Sequence, residues 1–283
     1  MKFRKIIDLI IIDILATFST KIAKLFKFRK VLNIDFSNIQ NKKGEAELLL
    51  LPYLLHKDSV FLDIGAKRGI YCFFSGKIIS ENNIIAFEPV PKLARMLKKL
   101  FPNALIIEKA LSDQKGRANL NIPIHQNNYL LDTRSTLEKE SSNASNTYET
   151  ISVEITTLND FVKLNKIEKI SLIKIDVEGH ELKLLAGAKN ILINNRPSLI
   201  IEIELNNHNN NLDTIFAFID QLDYLIYFFE IETLSLTQVY SHERKLVVPI
   251  ERLEKNHNYI CFPKEKPTYA NNINAQIRQS TTI

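Results

Sequence analysis

Residues 59–74, SVFLDIGAKRGIYCFF, decide the fold. The apolar run 60–64 carries one acid, Asp63, and stops at Gly65, and Gly69 then opens a second apolar segment. Glycines at these two places mark a strand that turns sharply into a helix. The same alternation continues outward. Runs 84–87 and 105–107 are short and β-rich, and the intervals 69–80 and 91–101 have helical length, with Pro91 suited to a first helical turn. Residues 171–177 (SLIKIDV) read as a fourth strand, 179–193 as the helix after it, and 198–204 (SLIIEIE) as a fifth strand. Strand and helix in alternation imply an α/β chain with a parallel sheet covered on both faces.

Between the third and fourth strands, residues 117–123 and 149–158 alternate polar and apolar side chains and are expected to pair as an antiparallel excursion. The polar stretch 125–148 between them reads as a long surface loop, of the kind that carries function. Residues 45–56 read as a helix interrupted at Pro52, 211–229 as helix then strand, and 256–263 as a last strand. From Lys264 onward the chain is polar and is expected to be disordered. The expected division is a basic N-terminal segment and linker (1–44), one α/β domain (45–263) and a polar tail (264–283).

Composition removes several classes. Of the 283 residues 45% are hydrophobic, as in an ordinary globular protein, and the formal net charge is +5. Residues 1–30 hold eight Lys and Arg against two acids, which leaves 29 basic and 30 acidic residues in the remainder. A near-neutral body has no nucleic-acid footprint. The two cysteines, Cys72 and Cys261, form no CxxC and no disulfide framework, so the reading is a reducing, cytoplasmic setting. The basic segment has an apolar core, 6–18, broken by Asp8 and Asp13. It is too short to span a bilayer, which needs roughly 20 apolar residues, and it lacks the clean core of a signal peptide. Ile7, Ile11, Ile14, Phe18, Ile22 and Leu25 fall at helical spacing, giving an amphipathic helix that docks on the body, on a second copy, or on the inner face of an anionic membrane.

Three groups of residues carry chemistry. Open parallel sheets bind ligands at the carboxyl ends of their strands, where Asp63 and Gly65 lie. The spacing Gly65-x-x-x-Gly69 is not the GxGxxG of a nicotinamide site, and no P-loop is present. Glu88, in IIAFEPVP, is an acid at the end of the second strand, where a carboxylate grips ribose hydroxyls. LIKIDVEGHELKLL (172–185) is the densest cluster. Alternation puts Lys174 and Asp176 on one side, and Glu178, Gly179 and His180 form the turn that follows. The plainer alternative is an ion pair from Lys174 to Asp176 or Glu178 that only locks the turn. Glu202 and Glu204 add carboxylates nearby, but no spacing is diagnostic for a metal, and none is assigned.

FLDIGAKRGIYCFF, IIAFEPVP, KALSDQKGRANL, ITTLNDFV, LIKIDVEGHELKLLAGA and RPSLIIEIE, in that order from about Val60 to Glu204, resemble the FkbM-family methyltransferases. The resemblance implies a Rossmann-like class I methyltransferase fold, a mostly parallel seven-stranded sheet with helices on both faces and an antiparallel last strand. It implies S-adenosylmethionine as cofactor and O-methylation of a hydroxyl on a sugar, glycan or secondary metabolite. Asp63, Gly65, Ala66 and Gly69 would then shape the methionine end of the cofactor site, and Glu88 would hold the ribose. Ala110, Leu111, Ser112 and Asp113 would lie by the adenine. Asp176 and Glu178 would face the methyl-transfer centre as candidate bases, with His180 as a third. This chain departs from the family at Lys67, where the first loop usually has Asn, and at Leu158-Asn159-Asp160, where Leu-Asp-Asp is usual. Lys67 and Arg68 could attract the cofactor carboxylate or repel the sulfonium. A binding protein that keeps the fold without catalysis, or a nicotinamide-dependent oxidoreductase, are the rival readings.

Overall fold

The computed structural model describes residues 11–12, 14–17, 19–39, 45–124, 134–138, 147–203, 212–239, 246, 248 and 257–281. In chain order the elements are α1 (Thr20–Phe28), a 3-10 turn (Ala46–Leu50) running into α2 (Leu51–Leu54), β1 (Phe61–Ile64), α3 (Ile70–Ser75), β2 (Ile84–Phe87), α4 (Pro91–Leu100) and β3 (Leu105–Ile107). There follow β4 (Ala110–Leu111), β5 (Gly116–Ile124), β6 (Thr147–Thr156), α5 (Leu158–Leu164), β7 (Leu172–Ile175), α6 (Glu181–Asn195) and β8 (Ser198–Glu202). The chain closes with α7 (Leu212–Gln221), β9 (Tyr224–Glu230), β10 (Ser235–Gln238), β11 (Asn258–Pro263) and α8 (Tyr269–Thr281).

The main sheet has the order β10-β9-β11-β8-β7-β1-β2-β3. β3, β2, β1, β7 and β8 run parallel, and β11 is inserted antiparallel between β8 and β9. Successive side chains of the central strands enter opposite layers. Phe61, Ala86 and Leu172 join one apolar cluster, and Leu62, Ile64, Phe87 and Ile175 join the other. The expected excursion is present as a separate sheet, β4-β6-β5, with β5 and β6 antiparallel.

Three expectations change. The main sheet has eight strands, not seven, because β10 turns back on β9 as an added edge. The tail is not disordered. Ala270, Ile273 and Ile277 sit at helical spacing and are buried along one face of α8. Asn274 of that helix bonds the backbone N–H and C=O of Leu236, at 2.7 and 3.1 Å, and so covers the β10 edge. Average polarity concealed a single apolar stripe. Pro52, finally, does not interrupt a helix but lies in the first turn of α2, after the 3-10 turn.

α1 docks on the body. Phe28 stacks on Phe73 with ring centroids 4.4 Å apart, and Ala23 is buried. Lys24 pairs with Glu81 and lies over the Phe101 ring. The buried face is not the expected stripe, since Ile14, Ile22 and Leu25 are exposed. Residues 1–10, and with them Ile7, lie outside the described residues, as do 125–133, 139–146 and 204–211. Among the described residues no helix is long and apolar enough to cross a membrane.

Candidate functional site

The chain leaves β1 towards β2 and β3, then returns to build β7 and β8 on the other side of β1. The carboxyl ends of β1 and β7 therefore flank the topological switch point, where such sheets open a crevice. Gly65 makes their approach close. Its φ is +77°, and a Cβ there would lie 1.9 Å from the Asp176 carbonyl oxygen. The Asp176 amide donates to Ile64 O at 2.9 Å. Gly69, also left-handed at φ +78°, faces elsewhere: a Cβ would meet Leu97 and Phe101 at 2.6 and 2.8 Å. Its bare face admits the packing of α4.

Glu88 stands at the end of β2 and is 2% exposed. Its two oxygens accept from the backbone amides of Lys67 at 2.7 Å and Val90 at 2.9 Å. Burial nevertheless pushes its carboxyl up to about 8. Asp63 lies beneath the crevice floor beside Lys174, accepts from Cys72 Sγ at 3.2 Å, and is pushed up to about 6 by burial.

At the mouth of β7 the ion pairs are not those expected. Lys174, 1% exposed, reaches Glu202 at 3.3 Å and Asn258 Oδ1 at 2.8 Å. Burial opposes its charge, but Asp176 and Glu202 outweigh that and hold its ammonium above the ordinary range. Asp176 and Glu178 are instead joined by Lys67, whose Nζ is 2.6 Å from Asp176 Oδ1 and 2.5 Å from Glu178 Oε1. Burial pushes Asp176 up to about 8 against the pull of Lys174 and Lys67. Lys67 and Glu178 both have left-handed backbones, at φ 49° and 44°. This conformation costs a residue with a Cβ roughly 1–2 kcal/mol, so the bridge joins two strained turns.

His180 caps α6 and is buried. Its Nδ1 lies 2.6 Å from Glu138 Oε1 and its Nε2 2.9 Å from Ser112 Oγ. Burial pushes the imidazole down. The Ser112 hydroxyl in turn donates to Asp113 Oδ1 at 3.0 Å, so the ring stands in a hydrogen-bonded chain from Glu138 to Asp113. Glu138 belongs to a short strap, residues 134–138, laid across the crevice. Thr136 pairs with Asn121 through two backbone hydrogen bonds, and its hydroxyl donates to Glu178 O at 2.6 Å.

A family model described as the methyltransferase FkbM domain matches residues 63–226, more than half of the chain. The chain belongs to the FkbM methyltransferase family. Hexuronic acid methyltransferase AglP of Haloferax volcanii is 29% identical over 161 residues, covering 54% of this chain and 60% of that protein. The 2-O-methyltransferase NoeI of Sinorhizobium fredii is 31% identical over 186 residues, covering 61% of this chain and 73% of that protein. The chain thus spans less than two thirds of the length of AglP. A crystal structure of methyltransferase FkbM from Methylobacillus flagellatus KT matches with a TM-score of 0.44 at 13% identity, over 92% of this chain and 59% of that one.

In this FkbM-family chain the crevice wall brings together six residues singled out from the sequence: Gly65, Glu88, Ala110, Leu111, Asp176 and His180. Asp63, Ala66, Gly69 and Ser112 stand behind that wall, Asp113 is exposed beyond it, and Glu178 reaches it through Lys67. Lys67, Ser135 and Leu137 also line the crevice. Alternation along the chain sets Asp176 and Glu178 against Lys174, not Lys67, and 125–148, which contains the strap, reads as a loop in which no residue is singled out. At the second family departure, Thr157 caps α5 by accepting from the Asp160 amide at 3.0 Å, and Asn159 Oδ1 accepts from the Ile191 amide at 3.2 Å. That stretch is a helix start tied to α6. Among the described residues no group of three or more His, Cys, Asp and Glu side chains is disposed to hold a metal ion.

Proposed function

We propose that this chain transfers a methyl group from S-adenosylmethionine to a hydroxyl of a sugar or glycan. The observation that carries the reading is the crevice at the switch point, with the buried Glu88 carboxylate on one side and Asp176 on the other. The residues fit the cofactor. Each Glu88 oxygen spends one lone pair on a backbone amide and keeps another, so the fixed carboxylate can accept both hydroxyls of a ribose. Phe87, Leu111 and Val177 give the same wall an apolar surface suited to a flat base. Bound there, S-adenosylmethionine supplies a methyl group activated by a sulfonium.

The protein's part is to orient the acceptor and take its proton. Asp176 is the proposed base, since a buried carboxyl near 8 is more basic than an exposed one. Glu178 and Lys67 hold the Asp176 carboxylate in place. His180, engaged at both ring nitrogens, is a positioning residue that anchors the strap rather than a base. A sugar acceptor is favoured by what the relatives' names say, a hexuronic acid for one and a 2-O position for the other.

Calorimetric titration with S-adenosylmethionine and S-adenosylhomocysteine, with NAD as control, tests the reading. Micromolar binding of the first two, lost or much weakened in Glu88→Ala, is expected. Binding of NAD alone, or of none of the three by the folded protein, would overturn it.

A further inference from the structure

We infer that Lys67 sets the preference of this site between the charged methyl donor and its neutral thioether product. The inference rests on the proposed function. The two ligands differ by a methyl group and one positive charge at sulfur. A fixed cation in the crevice therefore disfavours the donor relative to the product, and an unneutralised carboxylate does the reverse. Lys67 lines the crevice, its side chain is 22% exposed, and its ammonium touches both Asp176 and Glu178. With these two contacts it is committed to the protein's own carboxylates, not to the carboxylate of a ligand. Its positive charge offsets negative charge that these carboxyl groups would otherwise present to a sulfonium. The left-handed turns at 67 and 178 hold it there from both sides.

The test compares affinities for S-adenosylmethionine and S-adenosylhomocysteine in the wild type, Lys67→Met and Lys67→Arg by calorimetry. Methionine keeps the length and apolar stem of the side chain without its charge. The readout is the ratio of the two affinities, and in Lys67→Met it should move towards the donor by several-fold or more, as removal of one positive charge from the crevice implies. In Lys67→Arg it should stay within about twofold of wild type. Loss of both affinities in parallel with an unchanged ratio would mean that Lys67 only props the turn, and would overturn the inference while leaving the proposed function standing. Failure of the wild type to bind either ligand would overturn both. A second neutral substitution, Lys67→Gln, guards against a misfolded Lys67→Met. It should move the ratio in the same direction, and an unchanged ratio in a folded neutral variant would refute the inference.

Discussion

Gly187 lies inside α6, where glycine is less favourable than alanine by about 1 kcal/mol. Helix propensity alone thus predicts that Gly187→Ala stabilises the protein. Packing predicts the opposite sign. A Cβ at 187 would lie 2.0 Å from the carbonyl oxygen of Ser112 and 2.9 Å from its carbonyl carbon. Ordinary contact begins near 3.4 Å, so helix and loop must separate by roughly 1.4 Å along that line. Both groups are backbone, and neither can swing aside as a side chain would. Ser112 is also tethered, by its amide to Thr156 O at 2.9 Å and by its hydroxyl to His180 Nε2 at 2.9 Å. Breaking one such buried hydrogen bond costs about 1–3 kcal/mol, and overpacking a close contact costs about 1–3 kcal/mol more. After subtracting the helix gain, Gly187→Ala should destabilise by about 1–5 kcal/mol. Urea denaturation followed by circular dichroism reads this directly, as a lowered midpoint. A midpoint equal to or above that of wild type would refute the packing of α6 on the β4–β5 turn.

The remaining predictions concern the proposed base and the C-terminal helix. Asp176→Asn should cut turnover by about 10²–10⁴-fold while cofactor affinity measured by calorimetry stays within a few-fold, and normal turnover would sink its role. Because Asp176 must be ionised to act and burial pushes it up to about 8, wild-type kcat should rise about tenfold per pH unit towards that value and level off above it; a flat profile from pH 6 to 9 would contradict the assignment. Ile277, fully buried on the inner face of α8, should cost about 2–5 kcal/mol on substitution by alanine, and a change below about 0.5 kcal/mol in urea denaturation would show that the helix is not docked.

Most of the sheet was legible because its strands are short apolar runs separated by helical lengths. What stayed hidden obeys a different rule. The apolar residues of α8 recur only at helical spacing among Asn, Gln and Thr, so composition masked them. β10 is four residues of alternating, half-buried chain, below the length at which periodicity speaks. At the site, Glu88, Gly65 and Asp176 were legible because strand ends collect there. The loop 125–148 stands out by its length, but the parts played by Thr136 and Glu138 within it do not, since these act through contacts 42 residues away with Glu178 and His180. The partner of Lys174 was misjudged for a related reason. Alternation tells which face a side chain takes, but not that the adjoining strands β8 and β11 bring Glu202 and Asn258 closer than the turn brings Asp176.

The charges at the mouth of β7 explain the basicity of Asp176 without any special geometry. Asp176, Glu178 and Glu202 are three carboxylates, and Lys67 and Lys174 are the two ammonium groups bonded to them. In a largely dehydrated cluster an unbalanced charge is costly, and with carboxylates in excess of lysines a proton is retained. The proton settles on the group with the least compensation for its burial. Glu202 is not that group, because Lys174 and Lys67 outweigh the effect of burial and hold it below its usual range. Asp176 is, since burial dominates there despite the same two cations. The excess of carboxylates over lysines therefore favours a group titrating near neutrality, and burial places it at Asp176. Lys67 belongs to that count as much as Lys174 does. A residue that departs from the family at the edge of the crevice is thus part of what sets the protonation state at its centre.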